Sequence, residues 1–134
     1  MNRFAITAAL LVLGTTAALA QSPAGDPEKG ANVFKKCMAC HAIGENAKNK
    51  VGPELNGIVG RKMGSVADFA YSDTLKEHNA KGDVWTVEIL SQYLENPKAF
   101  LPGVKMVFAG LPKDTDRANL EAFLLQFNLD GTKK

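Results

Sequence analysis

A chain of 134 residues with 16 basic and 14 acidic side chains has room for one small domain, and its formal net charge of +2 gives nucleic-acid binding no support. A domain of this size buries roughly two-thirds of its surface on folding, so its own core is modest and a cofactor at its centre would enlarge it substantially. With only two cysteines, any thiol chemistry rests on a single pair.

Met1-Asn2-Arg3 supplies one positive charge, Phe4 to Leu13 is almost wholly apolar, and Ala18-Leu19-Ala20 presents small residues at both key positions before Gln21. A charged start, a short apolar run and an A-x-A site describe a secretory leader, expected to be cleaved after Ala20. The alternative, a retained membrane anchor, has only the stretch from Phe4 to Ala20, which is short for a span and carries Gly14 and three threonines. Taking those 20 residues from 134 leaves a mature domain, 21–134, of 114 residues, and taking away Arg3 lowers the net charge from +2 to +1. Export also implies an oxidising compartment.

Gln21 to Gly25 reads as a loose lead-in. Asp26-Pro27-Glu28 supplies an N-cap, a proline at the first helical position and an acidic first turn. The helix is expected to run to about Cys40, with Gly30, Val33, Phe34 and Cys37 at spacings of three and four. Glycine inside a helix costs roughly 1 kcal/mol relative to alanine, which a close crossing by another helix would explain.

Cys37-Met38-Ala39-Cys40-His41 follows. This C-x-x-C-H spacing lets two sulfurs form thioethers to one haem while the adjoining imidazole reaches the iron. Two other readings compete. A redox disulfide of the thioredoxin kind is expected beside a strand-helix-strand pattern, which the sequence lacks. A closed zinc site needs four ligands, and beyond this pair the chain offers one further histidine, His78, and no second pair of cysteines.

From Ala42 to Ser72 no period persists and glycines recur, with Val51-Gly52-Pro53-Glu54-Leu55 read as a turn into an apolar anchor. So long an irregular region is unusual in a small domain unless it serves a function, such as wrapping a bulky cofactor. Asp73 to His78 is read as a short helix and Asn79 to Gly82 as a turn. Thr86 caps a helix bearing Ile89, Leu90, Tyr93 and Leu94, which stops at Asn96-Pro97 because the residue before proline resists helical geometry. Phe100 to Pro112 is irregular. A last helix is expected from Thr115, with Leu120, Phe123, Leu124 and Phe127 along one face. The fold class is therefore all-α, with about four to five helices and long loops. An attached haem iron would take its second axial ligand from Met63, His78 or Met106, and Met106 sits in a proline-stiffened loop suited to presenting a thioether.

The run from Asn96 to Gly110 resembles the methionine-ligand loop of class I c-type cytochromes. The resemblance extends to the Gly30/Phe34 helix ahead of C-x-x-C-H, the Val51 to Leu55 turn, Gly60-Arg61-Lys62, and Tyr71, Trp85, Tyr93 and the Leu120/Phe123 helix in order. It covers about Gly25 to Phe127 and is similar to mitochondrial cytochrome c and its soluble periplasmic bacterial relatives. It implies one haem c joined at Cys37 and Cys40, His41 and Met106 as axial ligands, and the Pro53 carbonyl on the His41 ring. It further implies Arg61, Tyr71 and Trp85 at the inner propionate, Tyr93 directed at Met106, and a crossing of Gly30 and Phe34 with Leu120 and Phe123. Val104 stands where the mitochondrial pattern has threonine, and the segment between Tyr71 and Trp85 is about three residues longer.

The function implied is electron shuttling without enzymatic activity, between membrane redox complexes such as a quinol-oxidising donor and a terminal oxidase or reaction centre as acceptor. Both axial positions would be filled, and the electron would pass through an exposed haem edge. Lys36, Lys48, Lys50, Lys98, Lys105 and Lys113 match positions that ring that edge in related proteins, where a basic collar steers transient, acidic partners. A monomer is expected. Two other classes compete: a haem peroxidase-like enzyme in which Met106 dissociates, and a cofactor-free thiol oxidoreductase using Cys37 and Cys40.

Overall fold

A computed structural model describes residues 24–134; the expected leader and its cleavage site lie outside the described residues. Five helices carry the fold: α1 (Pro27–Phe34), α2 (Asp73–Lys81), α3 (Val87–Glu95), α4 (Pro97–Phe100) and α5 (Asp114–Leu124). The described residues add only two isolated β-bridges, Lys62 with Val84 and Phe127 with Lys133. The domain is all-α with long connections, as its sequence indicates.

The helix starts follow their caps. Asp26 accepts from the amides of Glu28 and Lys29, with Pro27 at the first helical position, and Thr86 accepts from Ile89. α1 is shorter than its apolar spacing predicts. It leaves α geometry at Phe34, and the chain continues through tighter turns in which the amides of Lys36, Cys37 and Cys40 bond to carbonyls three residues back. α2 instead runs past His78 to Lys81, where Gly82 closes it by donating to the carbonyl of Asn79. Asn96 both ends α3 and caps α4 by accepting from Ala99, so a short helix stands between the predicted end of α3 and the irregular stretch that begins at Phe100. α5 begins at Asp114 and stops at Leu124, leaving Phe127 buried just beyond it.

The scaffold is the crossing of α1 and α5. Gly30 is buried there, and a Cβ at this position would overlap the Asn119 carbonyl oxygen and crowd the Phe123 Cβ. The rings of Phe34 and Phe123 meet alongside, with centroids 5.2 Å apart. The amide of Asp26 donates to Asn119 Oδ1 at 2.8 Å and ties the entry of α1 to α5. Val33, Phe34, Leu90, Leu94, Leu101, Leu111, Leu120 and Leu124 belong to one core, with Trp85 and Tyr93 continuing it. Ile43, Leu55, Val104, Met106 and Phe108 pack against that core while remaining half-buried.

Candidate functional site

The turn after α1 gathers the first group of site residues. Its bonds bring the amides of Cys40 and His41 to the carbonyl of Cys37, at 3.0 and 2.9 Å, so both cysteines and the histidine share one turn. Cys37 is half-buried against the core and Cys40 is exposed. Burial pushes the Cys37 thiol up from its ordinary value, the opposite of the thiolate activation a disulfide oxidoreductase requires.

His41 is fixed on two sides. Its Nδ1 lies 2.7 Å from the Pro53 carbonyl oxygen; a carbonyl only accepts, so Nδ1 carries the proton and Nε2 keeps the lone pair. Gly52 lies against the ring, and a Cβ there would overlap it. Burial lowers the affinity of the imidazole for a second proton, against a smaller opposing effect of the Pro53 carbonyl. The result is a neutral, oriented imidazole with Nε2 available as a metal ligand.

From Pro53 a continuous wall of contacts leads to Met106. Glu54 pairs with Arg61 at 2.9 Å between Oε1 and Nη1. Arg61 also donates from Nη1 to the Asn56 carbonyl at 2.7 Å and from Nη2 to the Glu54 carbonyl at 2.9 Å. Burial lowers the Arg61 pKa against the favourable pull of Glu54. Trp85 is held beside Arg61 by two backbone bonds, Trp85 N to the Arg61 carbonyl at 2.9 Å and Gly60 N to the Trp85 carbonyl at 2.6 Å. Trp85 and Tyr93 pack with ring centroids 4.9 Å apart. The Tyr93 hydroxyl then donates to Met106 Sδ at 3.7 Å. Tyr71, buried, accepts from the Val66 amide at 3.2 Å and feels the charge of Arg61.

Met106 is half-buried on the core edge. The other two candidate ligands have other settings. Met63 is 2% exposed within the core, and His78 Nδ1 pairs with Asp83 Oδ2 at 2.7 Å on the far end of α2. Among the described residues no group of three or more His, Cys, Asp and Glu side chains is disposed to hold a metal ion on its own.

Several features suit a covalently attached haem. Two cysteines and a neutral, single-tautomer histidine share one turn, a thioether is held by a tyrosine hydroxyl, and half-buried apolar side chains edge the core between them. Arg61 has five N–H groups and gives three to protein acceptors, so two remain for a carboxylate. A broad depression on the surface touches Glu54 and Arg61 but none of Cys37, Cys40, His41 and Met106, so it borders this group without containing it.

The six lysines are all exposed: Lys36 after α1, Lys48 and Lys50 in the following loop, Lys98 on α4, Lys105 beside Met106, and Lys113 ahead of α5. None forms an ion pair among the described residues. Lys50 Nζ instead donates to the Met38 carbonyl, and Lys105 Nζ donates to that of Ala70 at 3.2 Å.

Sequence reasoning did not single out Gly52 as the face of the His41 ring, nor Glu54 as the partner of Arg61. The only signal for Glu54 is an acidic residue in an otherwise apolar turn, seven positions before a buried arginine, and spacing in a loop carries no period.

Residues 27–128 match the family model described as Cytochrome c. The chain is 78% identical over 107 residues to cytochrome c-550 of Ancylobacter novellus, an alignment covering 80% of this chain and 100% of that protein. It is 48% identical over 118 residues to cytochrome c2 of Blastochloris viridis, covering 88% and 91%. Among solved structures, cytochrome c2 from Rhodospirillum centenum superposes with a TM-score of 0.74 at 42% identity, covering 78% of this chain and 99% of that one. A helical scaffold closed by α1 and α5, with C-x-x-C-H at the end of the first and a near-complete match in sequence and fold, makes this protein a member of the cytochrome c family.

Proposed function

We infer that the protein is a monohaem electron carrier rather than an enzyme, with haem c joined through Cys37 and Cys40 and its iron ligated by His41 and Met106. The observation that carries this reading is the unbroken wall from His41 through Pro53, Glu54, Arg61, Trp85 and Tyr93 to Met106. It begins at one nitrogen ligand and ends at one sulfur ligand; His41 is oriented by the bond it donates to the Pro53 carbonyl, and Met106 by the bond its sulfur accepts from Tyr93.

Bound haem supplies a one-electron iron couple, and a thioether ligand favours its reduced state relative to a second imidazole. The chain contributes the rest. Pro53 keeps His41 in one tautomer, and Gly52 restricts the ring. Tyr93 holds the Met106 sulfur, and buried Trp85 and Leu101 exclude water. Arg61, with Tyr71 and Trp85, offers donors for the inner propionate, whose charge needs a partner in an apolar setting. Among the described residues no acid–base or nucleophilic constellation accompanies these groups.

The exposed lysines support docking of an acidic, transiently bound redox partner at the exposed haem edge, with membrane complexes that oxidise quinol and reduce oxygen or a photo-oxidised centre as the partner class. The leader-like residues 1–20 favour export to the periplasm with cleavage after Ala20, and no helix of the described residues is long and apolar enough to cross a membrane.

An absorption spectrum of the ferric protein, matured in a host that attaches haem, tests this function. A sulfur-to-iron charge-transfer band is expected, lost in Met106→Ala, with little binding of peroxide or cyanide by the native protein. A band that survives Met106→Ala excludes this ligand. A high-spin native spectrum with ready peroxide binding establishes the peroxidase-like alternative, and a colourless protein with two titratable thiols establishes the thiol oxidoreductase.

A further inference from the structure

Glu54 stands in the wall between the two ends of the site, but the reading above gives it no role of its own. Its backbone and side chain make four bonds. Its amide donates to Asn49 Oδ1 at 3.0 Å, its Oε2 accepts from the Asn56 amide at 2.6 Å, and its Oε1 and its carbonyl oxygen each accept from Arg61 at 2.9 Å. The pair is largely sheltered, with side-chain exposures of 9% for Arg61 and 19% for Glu54. The preceding residue, Pro53, supplies the carbonyl that orients His41. One short turn thus holds both the imidazole and the guanidinium.

A buried guanidinium with a single anchor can swing about its long side chain. Here three acceptors take both Nη1 protons and one Nη2 proton, leaving Nε–H and the second Nη2–H uncommitted. Two of those three acceptors belong to Glu54. The arginine is thereby held in one orientation, and the hydrogens left over are always the same two. The bond from Nη1 to Oε1 joins two charged groups, which makes it stronger than a neutral hydrogen bond.

We propose that Glu54 is a positioning residue that clamps Arg61 so that its two uncommitted N–H groups serve the haem propionate, and that it sets the reduction potential through Arg61. This rests on the haem reading above. A propionate well paired with Arg61 offers less uncompensated negative charge to the iron. Loosening the clamp exposes that charge, stabilises the ferric state and lowers the potential.

Glu54→Gln and Glu54→Ala separate the clamp from the charge, because both remove one negative charge but only glutamine keeps an acceptor within reach of Nη1. The haem-loaded variants are compared by equilibrium redox titration. E54A is expected to lie below E54Q by roughly a threefold change in the ferric-to-ferrous ratio, about 28 mV at 59 mV per decade. In an Arg61→Gln background this difference is expected to vanish. If E54A does not accumulate as a haem protein, E54S carries the same comparison, being equally neutral and equally short of the guanidinium. Equal potentials for the glutamine and truncated variants overturn the proposal, as does a difference that persists without Arg61. A wild-type protein that attaches no haem overturns instead the reading on which the proposal rests.

Discussion

The Tyr93 hydroxyl donates to the sulfur of Met106 over 3.7 Å, from a ring packed on Trp85. Burial pushes the Tyr93 phenol up to about 12, so the hydroxyl remains a donor throughout the working range of the protein. A donor on sulfur withdraws electron density and weakens the thioether as a ligand to ferric iron. Tyr93→Phe keeps the ring packing and removes only that bond. It is expected to retain the sulfur-to-iron band while lowering the reduction potential by less than about 59 mV, a tenfold change in a one-electron equilibrium. An unchanged or raised potential would contradict this role.

Gly30 lets the backbones of α1 and α5 approach closely at their crossing. Alanine at an ordinary interior helix position gains about 1 kcal/mol over glycine. Here its Cβ meets the Asn119 backbone carbonyl, which cannot rotate away as a side-chain tip would. Gly30→Ala is therefore expected to destabilise the folded protein by about 2 kcal/mol despite the better propensity, measured as a lower denaturant midpoint. A rise in midpoint would show that the helices part without cost.

Glu121 is 3% exposed and its Oε1 has no hydrogen-bond partner. Burial raises its pKa from 4.5 to about 7, with Ser91 and Arg117 pulling it down and Glu88 adding to the rise. Below about pH 4.5 both folded and unfolded chains hold the proton, and the neutral acid sits in the core. As pH rises towards about 7 the unfolded chain has released its proton and the folded one has not, so stability falls, by up to about 3 kcal/mol at about 1.4 kcal/mol per unit. Glu121→Gln removes this term. Its stability relative to the parent is expected to improve from about pH 4 to about pH 8, and a pH-independent difference would be inconsistent with a buried titrating carboxyl.

The lysine surface makes a kinetic prediction. Reversing charge at Lys36, Lys98 and Lys105 together is expected to slow electron transfer with an acidic partner by tenfold or more at low ionic strength, on the order of steering effects generally. The dependence of rate on salt should flatten at the same time. Stopped-flow mixing over a salt series measures both, and unchanged low-salt rates would remove the collar from the docking surface.

Much of this architecture is legible in the sequence because its signals are local. Asp26-Pro27, Thr86 and Asn96-Pro97 mark helix ends through caps and a proline, and each stands where the structure uses it. Two local chain features, C-x-x-C-H and the loop bearing Met106, mark the candidate site. The helix ends that escaped reflect the competition of neighbouring turns. α1 passes into tighter hydrogen bonding before Cys37, although the apolar spacing continues through it. Asn79 to Gly82 looks like a turn, yet only Gly82 leaves the helix. Asn96 serves two helices at once, which a boundary read from proline alone does not reveal. Glu121 is a charged residue on a buried face, so hydrophobic periodicity passes over it. Trp85 and Arg61 lie together through a bridge 24 positions long in sequence, and no local pattern announces that pairing.

The α1–α5 crossing joins the two ends of the described chain, and nearly every residue of the site lies in the span between them. Closing so long a loop has an entropic cost that grows only with the logarithm of its length, about 0.6 kcal/mol per doubling. A few residues added between Tyr71 and Trp85 therefore change that cost by next to nothing. That segment can lengthen, shorten or change its charges while the helical clasp stays shut. Redox tuning and partner choice are in this way open to insertion and deletion, and the fold is not at stake when they change.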